Sequence, residues 1–290
     1  MEQLTVYSHA KVNLSLDVLE KRPEDGYHYI RTVMVPISLA DRVVLHESPE
    51  ISVTMSPAIE GPAEANLAFR AAQLLRDTTG YAGGASIHVE KAIPVAGGLA
   101  GGSTNAAAAL TGLNRLWGTG LTQPELIALA IQLGSDVPFF VPSRPARVEG
   151  IGERLTPIVV KRPLWLVLAT PDVAKSTGNV FRLFDELRHV DRPDMAALEA
   201  ALAGGDLVAV AAALGNVFEA VMLPRHPEIG MLKRAMLDLG ALGALMSGAG
   251  PTVFGIVEDE TAGRILEAGL GSLNARTSLV RTIGGDGDGD

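Results

Sequence analysis

The chain has 290 residues, of which 47% are hydrophobic and 20% are charged, and its formal net charge at pH 7 is −9. This length is enough for one large or two medium domains, and the acidic balance argues against a nucleic-acid or anionic-membrane surface. Cysteine is absent, which excludes disulfides, a thiolate nucleophile and a zinc–thiolate site. The N-terminus lacks a signal-peptide pattern, and no apolar run approaches roughly 20 residues, so we expect a cytoplasmic protein with no membrane and no nucleic-acid partner.

The first part of the chain is mostly strand-like. Alternating β-branched and aliphatic residues predict strands over 5–19, 30–35, 42–47, 51–55 and 86–90. Before the last of these strands, residues 64–79 have helical spacing, and Gly80 is a natural helix end.

A glycine-rich loop follows, with the sequence PVAGGLAGGSTN at 94–105. Its four glycines precede two hydroxyl residues and a helix-like run: Gly97, Gly98, Gly101 and Gly102. Glycine leaves no side chain between main chain and ligand, and a helix N-terminus offers unpaired N–H groups, so we predict a phosphate site. No lysine precedes Ser103, which excludes the Walker pattern, and the dinucleotide pattern fits only loosely. A strand-to-helix turn without a ligand is the alternative.

Two charged residues stand out among apolar neighbours. Lys11 lies inside the first predicted strand, where it is either a functional cation or a lysine at a strand edge or outward face. Asp136 follows a predicted helix that begins at Thr122, with Glu125 placed for a capping box. Asp136 is either a functional carboxylate or a turn or cap acid.

The second half of the chain has a different pattern. Strands are predicted over 164–169, 252–257 and 278–283, and helices over 179–188, 195–203, 207–223, 229–239 and 261–269. This order indicates an α+β sandwich rather than a doubly wound sheet. We predict domains at 1–158 and 159–283, followed by a disordered Gly/Asp-rich tail at 284–290.

Several motifs, taken together and in order, resemble the GHMP family of small-molecule kinases. They are AKVNLSL at 10–16, DGYH at 25–28, the glycine loop, LGSDVPFF at 133–140, GIGE at 150–153 and MSGAGPTVF at 246–254. The resemblance covers about residues 10–257. It implies an α+β two-domain fold, with an N-terminal domain like ribosomal protein S5 domain 2 and a ferredoxin-like C-terminal domain. Ala96, Ala100 and Thr104 depart from the family's usual loop, and we expect ordinary backbone geometry at these positions.

The resemblance also implies a reaction, in which ATP and Mg²⁺ are used to phosphorylate a hydroxyl of a small molecule. Asp136 would act as the base, and Lys11 would stabilise charge on the transferring group. Asn66 would help to hold adenine, although it could equally cap a helix, and Ser103 would lie near Mg²⁺. The implied ATP-binding residues are Pro94, Val95, Ala96, Gly97, Gly98, Leu99, Ala100, Gly101, Gly102, Ser103, Thr104 and Asn66.

Within the family, the DGYH motif is similar to that of members acting on cytidine-diphosphate methylerythritol. The resemblance implies that Tyr27 and His28 contact cytosine, that Phe181 stacks on it, and that Gly248 lines the site. Asn13, on the same strand face as Lys11, is a further expected substrate ligand. A homoserine or mevalonate kinase is one alternative, although those substrates have no pyrimidine, and a non-catalytic nucleotide-binding protein is another. The sequence does not decide the oligomeric state, which is either a monomer or a homodimer.

Overall fold

The computed structural model describes residues 3–59, 61–173 and 177–284. The predicted tail therefore lies outside the described residues from position 285 onward. The described chain forms two β-sheets with helices packed on their faces, in agreement with the expected α+β class.

The first sheet is built on a long antiparallel pair, β1 and β2. Its main path has the order β3-β4-β2-β1-β8, in which β8 is the two-residue strand Gly215–Asn216, while β5 pairs with β2 and β6 with β5. Its first six strands are β1 (Gln3–Lys21), β2 (His28–Ser48), β3 (Ser52–Ser56), β4 (Gly84–Glu90), β5 (Ala146–Gly150) and β6 (Arg154–Pro157). The sequence predicted two strands where β2 is continuous. The reason is that β1 pairs with β2 on both sides of a register shift between His9 and Lys11, so the ladder continues past the predicted break.

Three helices of the first half form a core with this sheet: α1 (Leu67–Thr79), α2 (Gly101–Leu116) and α3 (Gln123–Leu133). The residues Ala106 to Ala109 of α2 are all buried, because their small side chains let the helix approach β1 and α1 closely. Helix α3 begins with the predicted capping box between Thr122 and Glu125. Helix α1 starts at Leu67, and not at 64 as predicted, because Asn66 has extended geometry and caps it.

The second sheet contains four antiparallel strands in the order β11-β7-β10-β9. Its strands are β7 (Trp165–Pro171), β9 (Gly243–Met246), β10 (Val253–Val257) and β11 (Ala275–Arg281), and its helices are α4 (Thr177–Phe184), α5 (Met195–Gly204), α6 (Leu207–Ala212), α7 (Glu219–Arg225), α8 (Pro227–Asp238) and α9 (Glu260–Gly269). Numbered within this sheet, the strand order is 4-1-3-2 in a β-α-β-β-α-β arrangement, which is ferredoxin-like. Short β5, β6 and β9 were not predicted.

One predicted helix, at 207–223, is wrong. It is divided into α6 and α7 by the two-residue strand β8 (Gly215–Asn216), which pairs in parallel with Ser15 and Leu16 of β1. A Cβ atom at Gly215 would lie 2.7 Å from Pro193, so the chain passes closely at this point. The consequence is that a segment of the second half joins the first sheet beside the strand that carries Lys11.

Candidate active site

A cavity of about 670 Å³ lies where the two halves of the chain meet. Fourteen of the predicted site residues line it: Lys11, Asn13, Tyr27, His28, Ala96, Gly97, Gly98, Ala100, Gly101, Gly102, Ser103, Asp136, Phe181 and Gly248. The other lining residues, none of which was predicted individually as a site residue, are Leu16, Asp25, Gly26, Ile30, Thr32, Ser135, Ile151, Phe218 and Ala249. The structure thus brings together residues from both ends of the chain.

Lys11 is buried, with a side chain that is only 3% exposed. Its backbone N–H donates to the carbonyl oxygen of Leu99 at 3.3 Å, so the glycine loop covers this stretch of β1 and the lysine is neither at an open edge nor outward-facing. The Nζ atom donates to Asn13 Oδ1 at 2.5 Å and to the Gly98 carbonyl at 3.1 Å. It lies 4.0 Å from Asp136 Oδ2.

Burial sets the electrostatic character of Lys11. Removing its ammonium group from water lowers the pKa of Lys11 below its ordinary value, and the negative charge of Asp136 opposes this shift only in part. The carbonyl and amide oxygens around Nζ nevertheless give the ammonium its hydrogen bonds. The result is a lysine fixed in position beside a partly exposed carboxylate.

Asn13 orients Lys11. Its Oδ1 accepts from Lys11, its Nδ2 donates to Thr32 Oγ1 at 2.8 Å, and Thr32 Oγ1 donates to the Ser15 carbonyl at 2.5 Å. Both ends of the amide are therefore engaged, and Thr32 fixes which end faces the lysine. Thr32 was not predicted, because a buried threonine within a strand gives no functional signal in a sequence.

Asp136 lies in the turn that follows α3, and its side chain is 38% exposed. The Val137 N–H donates to the Gly134 carbonyl at 3.1 Å and closes this turn. From the other side, Gly152 packs directly against Ser135, where a Cβ atom would overlap the Ser135 carbonyl, and its φ of +118° also favours glycine. The GIGE motif at 150–153 therefore holds in place the turn that carries the carboxylate.

The glycine loop leads into α2, whose N-cap position is Ala100 without a side-chain cap. The φ angles of Ala96 and Ala100 are +56° and +57°, so the expectation of ordinary backbone geometry at these two alanines is wrong. The helix begins directly after Ala100, and this tight entry requires the left-handed conformation whichever residue stands there. A Cβ atom at Gly102 would meet only Leu67 Cδ1, at 3.7 Å, so open space lies in front of the helix N-terminus.

Five of the predicted ATP-binding residues do not line the cavity: Pro94, Val95, Leu99, Thr104 and Asn66. Leu99 and Thr104 are buried in the interior, because the loop and the first turn of α2 alternate between the cavity and the core. The side chain of Asn66 accepts from the Ala68 N–H at 2.9 Å, so it caps α1, as the alternative interpretation proposed. A contact between Asn66 and adenine stays a prediction.

Aromatic residues line another wall of the cavity. The ring of Phe181 stacks on that of His28, with 5.4 Å between centroids and 25° between planes. Phe181 also meets the edge of the buried Phe218 at 4.8 Å. Tyr27 is 62% exposed and follows the turn closed by its own N–H, which donates to Asp25 Oδ1 at 3.1 Å. His28, Phe181 and Tyr27 thus line one cavity, and their contact with a base stays a prediction.

The turn after β9 closes the cavity from the second half. A Cβ atom at Gly248 would lie 3.2 Å from both Lys11 Nζ and Asn13 Oδ1, so only glycine fits here without displacing them. Ser247 Oγ donates to the Gly98 carbonyl at 3.1 Å, and Asn216 Nδ2 donates to the Gly248 carbonyl at 2.7 Å. These contacts hold the turn against the glycine loop.

The oxygen atoms of the cavity suit a hard cation such as Mg²⁺ only when a bound ligand supplies further oxygen atoms. Within the described residues, no group of three or more His, Asp or Glu side chains could hold a metal ion. Asp136 and Ser103 nevertheless line the same cavity and offer oxygen atoms. Mg²⁺ commonly takes one or two protein oxygens together with substrate phosphates and water, so these residues fit an ion that arrives with a nucleotide. No helix within the described ranges has the length and apolarity to cross a membrane.

Comparison with known proteins gives a consistent result. The model of the GHMP kinases N terminal domain matches residues 66–144, and the model of the GHMP kinases C terminal domain matches 196–272. A protein of Symbiobacterium thermophilum named 4-diphosphocytidyl-2-C-methyl-D-erythritol kinase is 63% identical over 97% of this chain and 100% of its own length. The protein of the same name from Geobacillus thermodenitrificans is 44% identical, over 97% of this chain and 98% of its own.

Solved structures agree with the sequence relatives. A crystal structure of 4-(cytidine 5'-diphospho)-2C-methyl-D-erythritol kinase is 35% identical, covers 97% of this chain and 100% of its own, and superposes with a TM-score of 0.82. A homoserine kinase from Cytophaga hutchinsonii, 18% identical, covers 98% of this chain and 95% of its own with a TM-score of 0.73. At that identity the second similarity concerns the fold alone.

Proposed function

The chain belongs to the GHMP kinases, and from this premise we propose that it phosphorylates 4-diphosphocytidyl-2-C-methyl-D-erythritol with ATP. The acceptor is the 2-hydroxyl of the sugar alcohol, and the product serves the non-mevalonate route to isoprenoid precursors. The names of the full-length relatives support this proposal.

The observation that carries the proposal is that one cavity holds three kinds of site. The N-terminus of α2 can take phosphates, the Lys11–Asp136 pair can act on a hydroxyl, and the His28–Phe181 pair can take a planar base. A substrate with a base at one end and a hydroxyl at the other matches this arrangement. Homoserine and mevalonate contain no base that would use the aromatic wall.

The proposed chemistry assigns a task to each group. The loop N–H groups and α2 bind the phosphates of ATP, and Asp136 accepts the proton of the attacking hydroxyl. Lys11, held by Asn13, offsets the negative charge on the transferring phosphoryl group. We propose that Ser103, which lines the same cavity as Asp136, would hold a Mg²⁺ ion that neutralises phosphate charge when bound.

On the substrate side, we propose that Tyr27, His28 and Phe181 hold the cytosine. Asn13 and Gly248 lie against Lys11, so we place the methylerythritol there. We also propose that residues 1–158 form the ATP-binding domain and 159–283 the C-terminal domain. A biosynthetic kinase uses cytoplasmic ATP, so we assign the enzyme to the cytoplasm. It is either a monomer or a homodimer, and sedimentation would distinguish the two.

The test is ATP consumption with each of three acceptors: cytidine-diphosphate methylerythritol, homoserine and mevalonate. We expect turnover with the first alone, and the phosphorus spectrum of the product should contain a new phosphomonoester. Asp136→Asn serves as the control for contaminating kinases, because its loss of turnover assigns the activity to this site. Turnover with homoserine or mevalonate in place of the cytidine compound would overturn the proposal.

A further inference from the structure

The imidazole of His28 is held by the end of a helix from the other half of the chain. Its Nε2 atom lies 2.7 Å from Asp185 Oδ1, and its face stacks on Phe181. Asp185 and Phe181 belong to one helical turn, since the Asp185 N–H donates to the Phe181 carbonyl at 3.1 Å. One turn at the end of α4 therefore fixes both the plane and the rotation of the ring, which is 7% exposed.

The second oxygen of the Asp185 carboxylate is also occupied. Lys21 Nζ lies 2.5 Å from Oδ2, and Lys21 is the cross-strand partner of His28 in the β1–β2 pair. Burial alone would raise the pKa of Asp185, but the hydrogen bonds from Lys21 and His28, together with the positive charge of Lys21, hold it below its ordinary value. Asp185 is thus an ionised carboxylate, and Lys21 balances its charge.

This arrangement decides which ring nitrogen carries the proton. An ionised carboxylate only accepts hydrogen bonds, so Nε2 of His28 must be the N–H that faces Asp185. In the neutral ring, Nδ1 then carries a lone pair. No other hydrogen bond to this ring is present in the described part of the chain, and His28 lines the cavity.

We propose that Asp185, supported by Lys21, is a positioning residue that makes the site selective for cytosine over uracil. By holding His28 in its Nε2–H form, Asp185 leaves Nδ1 as an acceptor for the exocyclic amino group of cytosine. Uracil has a carbonyl oxygen at the same ring position, so two acceptors would face each other without a proton between them. The inference rests on the proposed function, because it assumes that the base at this wall is a pyrimidine.

The kinetic test compares Asp185→Ala with Glu186→Ala. Glu186 is the matched control, since it is the next residue and pairs with Arg182 on the surface, away from His28. The measurement is kcat/KM for cytidine-diphosphate methylerythritol and for its uridine-diphosphate analogue. We expect Asp185→Ala to reduce the preference for cytidine by about 10- to 100-fold, the scale for one buried hydrogen bond. In Asp185→Ala, the loss of preference should come from a higher KM for the cytidine substrate, while KM for ATP stays unchanged. Glu186→Ala should keep the preference for cytidine.

A second measurement does not depend on activity. The ¹⁵N shifts of the ring nitrogens report the tautomer, and the His28 signals are those that disappear in His28→Gln. We expect the Nε2–H form in the wild type and a mixture of both forms in Asp185→Ala. A wild type that fails to phosphorylate the cytidine compound would refute the proposed function whatever the spectrum shows. An active wild type whose Asp185→Ala variant keeps either the tautomer or the preference would refute the inference about Asp185.

Discussion

At the scale of single residues, the cavity places a buried lysine beside a partly exposed carboxylate. Lys11 has lost its water and is oriented by carbonyl and amide oxygens, whereas Asp136 remains partly exposed at the cavity. A carboxylate that reaches solvent can exchange its proton after each turnover. In the proposed reaction, a buried lysine that keeps a constant position would stabilise charge without rearranging.

The first prediction concerns Asp136→Asn. The fold should be retained, because the side chain is 38% exposed and makes only a 4.0 Å ion pair. The amide cannot accept the hydroxyl proton, so kcat should fall by roughly 10²–10⁴ while KM for ATP changes little. Steady-state kinetics measure both, and Asp77→Asn on the surface of α1 should behave as the wild type. A folded Asp136→Asn variant with near-normal kcat would remove Asp136 from the mechanism.

The second prediction is a pH dependence of stability that originates in Lys11. The pKa of Lys11 is lowered in the folded state from its ordinary value of 10.5. Between the folded and the unfolded pKa, the unfolded chain binds more protons, so this residue makes stability rise with pH across that interval. Lys11→Met lacks this contribution. The free energy of unfolding of the wild type minus that of the variant should therefore increase with pH.

Urea unfolding from about pH 7 to about pH 10 measures this difference, with the sign fixed by the linkage relation. Lys11→Met also leaves Asn13 Oδ1 without its donor, while the Gly98 carbonyl keeps its hydrogen bond from Ser247, and this loss changes stability by a similar amount at every pH. The test therefore lies in how the difference in free energy of unfolding between wild type and variant changes with pH. A difference that stays constant or decreases as the pH rises would contradict a lowered pKa of Lys11.

At the scale of elements, the loop before α2 has two alanines with strained backbone geometry, and it is followed by a glycine beside open space. Ala96 and Ala100 adopt the left-handed conformation, at a cost of about 1 kcal/mol each. Gly102 lies at the start of the helix, where a side chain would extend into the cavity and not into the protein. Binding and backbone geometry can therefore be separated by mutation.

The third prediction uses this separation. Gly102→Val should leave the free energy of unfolding within about 1 kcal/mol of the wild type, because its side chain enters empty space. The affinity for ATP should fall at least about tenfold, since the valine occupies the region in front of the helix N-terminus. Ala100→Gly is the control, because it changes the same loop by one methyl group and should retain ATP affinity. Unchanged ATP affinity of Gly102→Val by calorimetry would make the loop a turn without a phosphate.

The loop also shows how far the sequence could predict the site. The glycine cluster and the helix after it were predicted, because composition alone indicates a tight entry into a helix. The left-handed alanines were not, because no local pattern shows which residue of the loop must turn. The same limit applies to Asn216 in β8, whose two-residue strand resembles the interior of a helix, and to Asp185, whose partner His28 lies far away in the sequence.

At the scale of the whole molecule, the active site holds the two halves of the chain together. Asn216 donates to the carbonyls of Met246 and Gly248 at 2.7 Å each and accepts from the Phe218 N–H at 3.0 Å. The Thr252 N–H donates to the Gly97 carbonyl at 3.1 Å. Because β8 pairs with Ser15 and Leu16 of β1, the Asn216 bonds connect the turn after β9 to the first sheet, and the Thr252–Gly97 bond connects the second half to the glycine loop. Separating the halves would leave their buried polar groups without partners.

The last prediction follows from this connection: the described structure should unfold as one cooperative unit. Each half contains one tryptophan, since Trp117 follows α2 and Trp165 begins β7. The variants Trp117→Phe and Trp165→Phe each leave a single reporter, and their fluorescence transitions in urea should have the same midpoint. Adding Asn216→Ala to each variant should shift both urea midpoints to lower concentration together. The free energy of unfolding should fall by at least about 2 kcal/mol, because two buried carbonyls lose their donor. Asn274→Ala, at an exposed position, should leave both midpoints unchanged. The prediction would be wrong if, in the two single-tryptophan variants that keep Asn216, the Trp165 signal were lost at lower urea than the Trp117 signal. The halves would then be separate folding units, and the contacts of Asn216 would not couple them.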